Sequence, residues 1–172
     1  VVVLLGVTLL SFLLTLAALP GSLVPQLPVF SQEDVFAAIS PSEAIERVRE
    51  GFVEYAAGQW EMPPKVYLEA PPGGDFRAMP ARGGGLAILK WVTSFPRNPE
   101  AGLPVVMGMI CVSSAVDGEP LALVDVRSIT ALRTGAVAAV AAQELAREDA
   151  QTTGIVGCGL HGYWGCMTGR QI

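Results

Sequence analysis

The most regular hydrophobic pattern in the chain runs from Ser128 to Arg147. Apolar residues recur there mostly at intervals of three and four, and alanine is the commonest residue between them. This spacing predicts a helix that packs closely on more than one side. Ser128 or Thr130 is suited to cap its start, and Arg147 lies near the end where the helix dipole favours positive charge. A short buried strand is predicted to follow at residues 152–156.

Two shorter helices and a group of strands are predicted ahead of this helix. Ser31 and Ser40 each precede a helical pattern, and Gly58 ends the second one. Beyond Pro64 the pattern changes to short strands separated by turns rich in glycine and proline. These strands begin near Val66, Asp75, Leu86, Val105 and Leu121. Two helices followed by a run of strands predict an α+β domain.

A glycine-rich turn follows the predicted strand at residues 152–156. Its spacing is Gly157-x-Gly159-x-x-Gly162, which allows the backbone to approach a diphosphate at the N-terminus of a helix. The motif alone is weak evidence, but its position after a strand makes it more specific. We therefore predict an α+β substrate and dimerisation domain over residues 28–127. The start of a Rossmann-type α/β dinucleotide-binding domain is predicted over residues 128–172.

Composition limits the kinds of partner that fit the chain. The net charge is −5 and 51% of the 172 residues are hydrophobic, which provides a core and argues against nucleic acid as a partner. The three cysteines lack metal-ligand spacing, and His161 is the one histidine in the sequence. We therefore predict no metal site and expect free thiols in a reducing compartment.

Three segments together resemble a known family. They are Pro120-Leu-Ala-Leu-Val-Asp125, Ile129-Thr-Ala-Leu-Arg-Thr134 and Gly157-Cys-Gly-Leu-His-Gly162. In combination they are similar to the ornithine cyclodeaminase/mu-crystallin family, over about residues 29–164. The resemblance implies NAD or NADP as cofactor, a small amino-acid or imino-acid substrate, a homodimer and a cytoplasmic location. The family also includes alanine dehydrogenases and cyclic-imine reductases.

The first segment of the chain lies outside this resemblance. Residues 1–19 are almost entirely apolar and are followed by a proline-containing linker up to residue 27. Their length is sufficient for a membrane helix, so a membrane anchor is one explanation. Sequence that does not belong to the enzyme is the other, and we favour it because no positive charge precedes Arg47 and no initiator methionine is present.

Lys90 is the candidate catalytic residue. It ends the apolar run Leu86-Ala-Ile-Leu and precedes Trp91. Judged from these residues alone, it is either an ordinary strand lysine facing solvent or a buried lysine with a lowered pKa, suited to act as a base. The family resemblance implies the second role, in which Lys90 lies beside the reacting carbon and moves a proton or orients water.

Three further cations are candidates for binding the substrate carboxylate. Arg133 reads by composition as a surface arginine near a helix start, but the family resemblance implies a contact to the carboxylate, for which its planar fork is suited. The resemblance also implies Lys65 as a second cationic contact. Arg77 is a further candidate, and a surface salt bridge is its alternative.

The cofactor is expected at the glycine-rich turn. The residues predicted to contact it there are Gly157, Gly159, Leu160, His161 and Gly162. His161 is expected to face the phosphates through its backbone and not to act as a base. Asp125 either approaches the nicotinamide or caps a turn, and the residues leave both open.

The chain ends shortly after Gly162, before the acidic residue that a dinucleotide site carries about 20 residues onward. We therefore expect an N-terminal piece of a longer enzyme. Its last residues, 165–172, are predicted to depart from the helix that should follow the turn.

Three functions are compatible with this sequence. The representative reaction of the family is cyclisation of ornithine to proline with loss of ammonia. Alanine dehydrogenase or ketimine reductase chemistry is the alternative among enzymes. A catalytically inactive, crystallin-like protein that keeps the fold is the alternative outside them.

Overall fold

A mixed sheet covered by helices forms the part of the chain that the structure describes. That part is residues 27–172 of a computed structural model, so the apolar segment at residues 1–19 lies outside it. The α-helices are α1 (Gln32–Ala38), α2 (Pro41–Ala56), α3 (Val126–Leu145) and α4 (Leu160–Gly169), and a 3-10 turn spans Asn98–Ala101. The strands are β1 (Val29–Phe30), β2 (Trp60–Glu61), β3 (Val66–Ala70), β4 (Gly74–Gly83), β5 (Leu86–Ser94), β6 (Val106–Ser114) and β7 (Pro120–Asp125).

The sheet is built around the successive antiparallel strands β4, β5, β6 and β7. The strand order is β1-β7-β6-β5-β4-β2, and β3 pairs with the other end of β4. Only the short β1 runs parallel to its neighbour, β7, among these described strands. The five strands expected from the sequence are all present, while β1 and β2 are too short for a periodicity to signal them.

One face of the sheet carries the core. Alternate residues of the central strands, including Ile88, Val92, Ile110 and Val124, are at most 7% exposed. They pack with the helices in one apolar cluster, to which α3 contributes Ile129, Leu132, Ala136 and Ala139. The alternation follows from strand geometry, since successive side chains point to opposite faces. Because α3 shares the core of the sheet, the division of the chain into domains at residues 127 and 128 stays a prediction.

The opposite face of the sheet is apolar but exposed. The residues concerned are Val29, Val66, Leu68, Leu89 and Met109, which are 38–70% exposed. Register places them together, because Leu89 lies opposite Cys111 and Cys111 lies opposite Leu123, the partner of Val29. We call this surface the outer face. A continuous apolar sheet face is a feature that soluble proteins normally cover.

Helix caps agree in part with the sequence. Ser31 and Ser40 stand at the starts of the two helices, as predicted, and each forms a capping box in which its hydroxyl accepts a hydrogen bond from the backbone N–H of Asp34 or Glu43 respectively. The long helix begins at Val126, and its cap is Asp125, not Ser128 or Thr130. The expectation missed this because Asp125 also ends the preceding strand, so strand and helix meet without a loop.

Two predictions around the glycine-rich turn are wrong. Residues 152–156 form no strand, and Ile155 and Val156 are exposed. A strand is stabilised by its ladder of hydrogen bonds to a neighbour, and no strand of the described residues lies beside this segment. The following residues were expected to depart from a helix, yet α4 continues through Gly165 to Gly169. Packing against α3 offsets the low helix propensity of its glycines.

Helix α4 lies directly against α3, and a glycine makes this approach possible. A Cβ atom at Gly135 of α3 would lie 2.5 Å from the carbonyl oxygen of Trp164 and 3.0 Å from the hydroxyl of Thr168. Trp164 stacks in turn on Phe36 of α1, with 4.8 Å between the ring centroids. The position of α4, and with it the glycine-rich turn, therefore depends on the absence of a side chain at Gly135.

No helix among residues 27–172 is both long and apolar enough to cross a membrane.

We predict that Gly135→Ala destabilises the fold, although alanine is the better helix former. The added methyl group meets backbone atoms that cannot rotate away, and overpacking of this kind costs about 1–3 kcal/mol. Urea denaturation followed by circular dichroism measures the change. Gly165→Ala in α4 is the matched control, because nothing lies within 4 Å of its added Cβ, so it should stabilise slightly. Equal behaviour of the two variants would show that the close approach is unimportant.

Candidate active site

Lys90 projects from β5 into the core face of the sheet. Its neighbours two residues away on the strand, Ile88 and Val92, belong to the hydrophobic cluster, and Lys90 itself is 5% exposed. The amine donates one hydrogen bond of 2.8 Å to the hydroxyl of Thr130 on α3. Of the two orientations that the sequence left open, the structure has the buried one.

Burial changes the acidity of this amine. Desolvation, with a further contribution from the positive charge of Arg133, lowers the pKa of Lys90 from 10.5 to about 7. An amine with such a pKa exchanges protons near neutral pH, which is what a general acid or base requires. The Thr130 hydroxyl accepts a hydrogen bond from the ammonium form and can also hydrogen-bond the neutral amine, so it orients the group in both states.

Arg133 lies one helical turn beyond Thr130 on α3. Residues three apart on a helix are neighbours on its surface, with about 5–6 Å between their Cβ atoms. Burial lowers the pKa of Arg133 to about 10. Its Nε atom is buried and has no hydrogen-bond partner among the described residues, although the residue as a whole is partly exposed. An unpaired buried donor is costly, so this guanidinium is suited to a ligand that carries acceptors.

The two buried cations lack a counter-ion within residues 27–172. The ion pairs of that region involve other arginines, and neither Lys90 nor Arg133 takes part in one. Like charges placed together in a desolvated site are unfavourable until an anion binds or one of them loses its proton. The arrangement is therefore electrostatically suited to a small anion such as a carboxylate.

Lys65 and Arg77 form a second group on the neighbouring strands. The amine of Lys65 lies 5.2 Å from the centre of the Tyr67 ring, and the guanidinium carbon of Arg77 lies 5.5 Å from it. Arg77 also donates two hydrogen bonds, of 2.5 and 2.8 Å, to the two carboxylate oxygens of Asp75. These bonds lower the pKa of Asp75 and raise that of Arg77. Arg77 thus has the salt bridge that was its alternative interpretation.

Register shows that this second group faces the same way as Lys90. Arg77 lies opposite Val92, and Met79 lies opposite Lys90, so Arg77 and Lys90 are diagonal neighbours on the core face, about 7–8 Å apart at Cβ. Tyr67 lies opposite Arg77, which puts it on this face as well. The exposed Lys65 lies two residues before Tyr67, just ahead of the first residue of β3.

The glycine-rich turn folds tightly at the start of α4. Gly157 has φ of +99°, a conformation that favours glycine. A Cβ at Gly162 would lie 2.2 Å from the carbonyl oxygen of Gly157, so the turn folds tightly against the start of α4. Gly159 caps that helix without a side chain, and the N–H groups of the first turn have no acceptor within the helix. These residues fit a diphosphate group.

His161 connects the turn to the buried cations. It occupies the first turn of α4, and partial desolvation lowers its pKa, with further contributions from the charges of Arg133 and Lys90. The charges of both cations therefore act on its imidazole. The glycine-rich turn, α3 and β5 thus come together in one region. Its expected role, a backbone contact to phosphate, stays a prediction, as do the contacts predicted for Leu160 and the three glycines.

Asp125 has the geometry of a cap. Its carboxylate accepts hydrogen bonds of 2.7 Å from both the backbone N–H and the hydroxyl of Ser128. The capping interpretation is therefore realised, and a contact to a nicotinamide stays a prediction.

Two residues of the site escaped the sequence analysis. Thr130 was considered only as a helix cap, although its place three residues before Arg133 signalled that the two share a helix face. Tyr67 was not singled out, although it lies two residues after Lys65 in the strand pattern.

Comparison with known proteins shows the family of the chain. The model of the ornithine cyclodeaminase/mu-crystallin family matches residues 27–171. The chain belongs to that family. An alanine dehydrogenase of Archaeoglobus fulgidus is 48% identical over 144 residues, which are 84% of this chain and 44% of that protein.

Two solved structures share the fold. An archaeal alanine dehydrogenase, described as a dimer with bound NAD, superposes with a TM-score of 0.81 at 46% identity and covers 84% of this chain and 45% of its own. The Thermococcus litoralis Δ1-pyrroline-2-carboxylate reductase, in complex with NADH and L-proline, superposes with a TM-score of 0.80 at 32% identity. The match covers 84% of this chain and 46% of the reductase chain. The chain thus spans less than half the length of these family members.

We predict that the stability of this family member rises with pH in a way that depends on Lys90. Between pH 7 and 10.5 the unfolded chain keeps the lysine proton and the folded chain has lost it, so the free energy of unfolding increases by up to about 1.4 kcal/mol per pH unit. Lys90→Met should remove this part of the slope and be most stabilising below pH 7. Urea denaturation across the pH range measures it.

Lys65→Met is the matched control, since it removes an exposed lysine from the same sheet. Its pH profile should follow that of the wild type. Identical profiles for the wild type and Lys90→Met would contradict the buried, proton-exchanging amine.

Proposed function

We propose that this chain forms the substrate-binding half of an NAD(P)-dependent enzyme that transfers hydride to or from the C2 carbon of a small amino or imino acid. The observation that carries the proposal is the pair of buried cations, Lys90 and Arg133, without a counter-ion among the described residues. A carboxylate supplies the missing charge, and C2 then lies next to the lysine amine.

Each cation has a distinct role in this proposal. Arg133 binds the substrate carboxylate through its unpaired guanidinium, and a planar fork of donors is well matched to two carboxylate oxygens. Lys65, held near the Tyr67 ring, supplies a second positive charge from the edge of the sheet. Arg77 reaches the carboxylate only by sharing its donors with Asp75, whose charge offsets its own, so its contribution is smaller than that of Arg133.

Lys90 is the proposed acid and base that transfers the proton. With a pKa of about 7, its amine takes a proton from the substrate nitrogen, or from water attacking C2, and returns it in the reverse direction. Thr130 orients the amine through their 2.8 Å hydrogen bond. The core around Lys90 excludes bulk water, which disfavours the charged form of the amine and lowers its pKa into the neutral range.

The cofactor of this proposal is NAD or NADP, whose nicotinamide carries the hydride. Gly157, Gly159 and Gly162, together with the N–H groups at Leu160 and His161, would hold its diphosphate. Support comes from the tight glycine turn and from the two solved relatives, which contain NAD or NADH.

Alanine, with pyruvate as its 2-oxo acid, is the proposed substrate pair. The 48% identity with the Archaeoglobus alanine dehydrogenase favours it over ornithine cyclisation, the reaction that the sequence analysis placed first. The ring-forming and imine-reducing reactions of other relatives use the same carboxylate and C2 carbon, so they are tested together with alanine.

We predict distinct kinetic effects for the two cations, measured in the chain extended to full length by the second half of the Archaeoglobus enzyme. Arg133→Lys keeps the charge but loses the fork, so KM should rise about ten- to a hundredfold. Lys90→Met should lower kcat about 10²–10⁴-fold with little change in NADH binding. Steady-state rates with alanine, pyruvate plus ammonia, ornithine and pyrroline-2-carboxylate, with NADH fluorescence, provide these values.

Arg97→Lys is the control, because Arg97 pairs with Glu100 on an exposed turn and should behave like the wild type. Absence of turnover with every substrate, in a protein that binds NADH, would favour the non-catalytic, crystallin-like alternative. Wild-type turnover by Lys90→Met would show that Lys90 is not the acid or base.

We also propose that the outer face is the surface through which two copies of this chain associate. Its exposed apolar residues lie on β1, β3, β5 and β6, which β7 and β4 connect into one sheet, and burial of such a face is the usual way to protect a sheet. The archaeal alanine dehydrogenase, which shares the fold, is described as a dimer.

We predict that Leu89→Lys, at the centre of the outer face, weakens dimerisation by at least about a hundredfold, since an unpaired charge buried in an interface costs several kcal/mol. Light scattering over a concentration series of residues 27–172 measures this. Val53→Lys is the control, because Val53 is equally apolar and 65% exposed but lies on α2. A wild-type chain that stays monomeric would contradict the proposal.

A further inference from the structure

The buried amine of Lys90 has a second chemical capability besides proton transfer. It is a primary amine in a desolvated site, 5% exposed, with the cationic Arg133 one helical turn from its only hydrogen-bond partner among the described residues, Thr130. A lysine placed in an apolar pocket or beside another cation is the arrangement that activates lysine as a nucleophile toward carbonyl groups. The chemistry of this site therefore extends to covalent capture of a substrate.

We propose that Lys90 forms an imine with the C2 carbonyl of a 2-oxo acid whose carboxylate is bound by Arg133. The proposal shares its substrate class with the proposed function and rests on it in that respect. It does not depend on the cofactor or on hydride transfer.

Geometry makes the two contacts compatible. The Cβ atoms of Thr130 and Arg133 are about 5–6 Å apart on one face of α3, and the amine lies 2.8 Å from the Thr130 hydroxyl. In a 2-oxo acid the carboxylate is bonded directly to the carbonyl carbon. A carboxylate on the guanidinium therefore presents C2 on the side of the helix where the amine lies. Arg133 is partly exposed, so a small acid reaches it from solvent.

The state of the amine at neutral pH is the one that such a reaction requires. With a pKa of about 7, roughly half of the amine is unprotonated at pH 7, and about nine tenths at pH 8. The charged or titratable groups facing Lys90 are Arg133 from α3, His161 from α4 and Arg77 from β4. On β6 the facing residue is the apolar Ile110. Burial, with a further contribution from the charge of Arg133, lowers the pKa of the amine, and none of these groups is an ion-pair partner for it.

The reaction is balanced without an oxidant or a reductant. The nitrogen lone pair of Lys90 attacks C2, a C–N bond forms, and the carbonyl oxygen becomes a hydroxyl after the nitrogen proton is transferred to it. The Thr130 hydroxyl lies within hydrogen-bond distance to relay that proton. Loss of the hydroxyl as water then leaves a C=N bond between C2 and the lysine nitrogen. Amine and 2-oxo acid thus give imine and water.

The small number of lysines makes the site of labelling simple to assign. The chain contains only two lysines, Lys65 and Lys90, and the exposed Lys65 serves as an internal reference. We would incubate the 172-residue chain with pyruvate and cyanoborohydride, which reduces an imine to a stable secondary amine. Digestion at glutamate and mass spectrometry then locate the label at Lys65, Lys90 or the N-terminal amine.

We expect Lys90 to be labelled at least about tenfold faster than Lys65 at pH 8, because the Lys90 amine is mostly unprotonated there and lies beside the guanidinium that binds the carboxylate. The rate at Lys90 should level off above about pH 8, whereas the rate of free Nα-acetyl-lysine amide, measured in parallel, should keep rising. Acetone has the same ketone but lacks the carboxylate, so it should label Lys90 at least about tenfold more slowly than pyruvate does.

Two variants complete the test. Lys90→Met should lose the core label and keep that at Lys65, and Arg133→Gln should lose the preference for pyruvate over acetone. Circular dichroism and thermal denaturation check that each is folded. If a variant does not fold, the comparison of pyruvate with acetone on the wild-type chain decides the question.

Equal labelling of Lys65 and Lys90, or equal rates with pyruvate and acetone, would overturn the proposal. Failure of this proposal can be distinguished from failure of the proposed function. NADH-linked turnover of alanine without any trapped imine would leave the dehydrogenase intact and remove covalent capture. A trapped imine without turnover would support capture and count against the dehydrogenase.

Discussion

Lys90 and Arg133 are held together under one face of α3, and no acidic side chain among the described residues balances their charge. This arrangement is unfavourable for the folded chain by itself, since desolvation and repulsion both act against the charged forms. The fold tolerates it because Lys90 gives up its proton at moderate pH and because Arg133 keeps part of its surface in solvent. The same features prepare the site for a small carboxylate, so the electrostatic cost and the chemical capability have one origin.

The rest of the structure serves to keep these two groups in place. The register of the antiparallel strands β4, β5 and β6 fixes the position of Lys90 in the sheet, between Met79 on β4 and Ile110 on β6. Helix α3 is fixed over the sheet by its apolar side chains and by Asp125, which joins the end of β7 to the start of the helix. The close approach at Gly135 then positions α4 and the glycine-rich turn against α3. Arg133 and the glycine-rich turn are thus both positioned by α3.

The two faces of the sheet have separate roles, which follow from the two-residue period of a strand. On β5, Ile88, Lys90 and Val92 point to the helices, while Leu89 points to the outer face. The two roles proposed for this strand, proton transfer by Lys90 and association through the outer face, therefore use opposite faces of the sheet. The apolar character of the outer face also explains why the strand region reads as almost continuously hydrophobic, a pattern typical of sheets covered on both sides.

The sequence by itself determined the local elements and the family. The capping boxes at Ser31 and Ser40, the five strands and the long alanine-rich helix follow from short-range patterns, and the three motifs indicated the ornithine cyclodeaminase/mu-crystallin family that the comparisons established. Lys90 could be singled out as a candidate, but its orientation could not. A lysine at the end of an apolar run is compatible with either face of a strand.

Only the tertiary structure decided which groups meet. The contact between Lys90 and Thr130 joins residues 40 positions apart, and no periodicity reports such a distance. The same limit explains the failed strand at residues 152–156, whose sequence is suitable but which has no neighbour among the described strands. It also explains α4, whose many glycines argue against a helix until α3 lies beside it. Local patterns report what each segment prefers, whereas packing between distant segments decides which preference is realised and which side chains share a site.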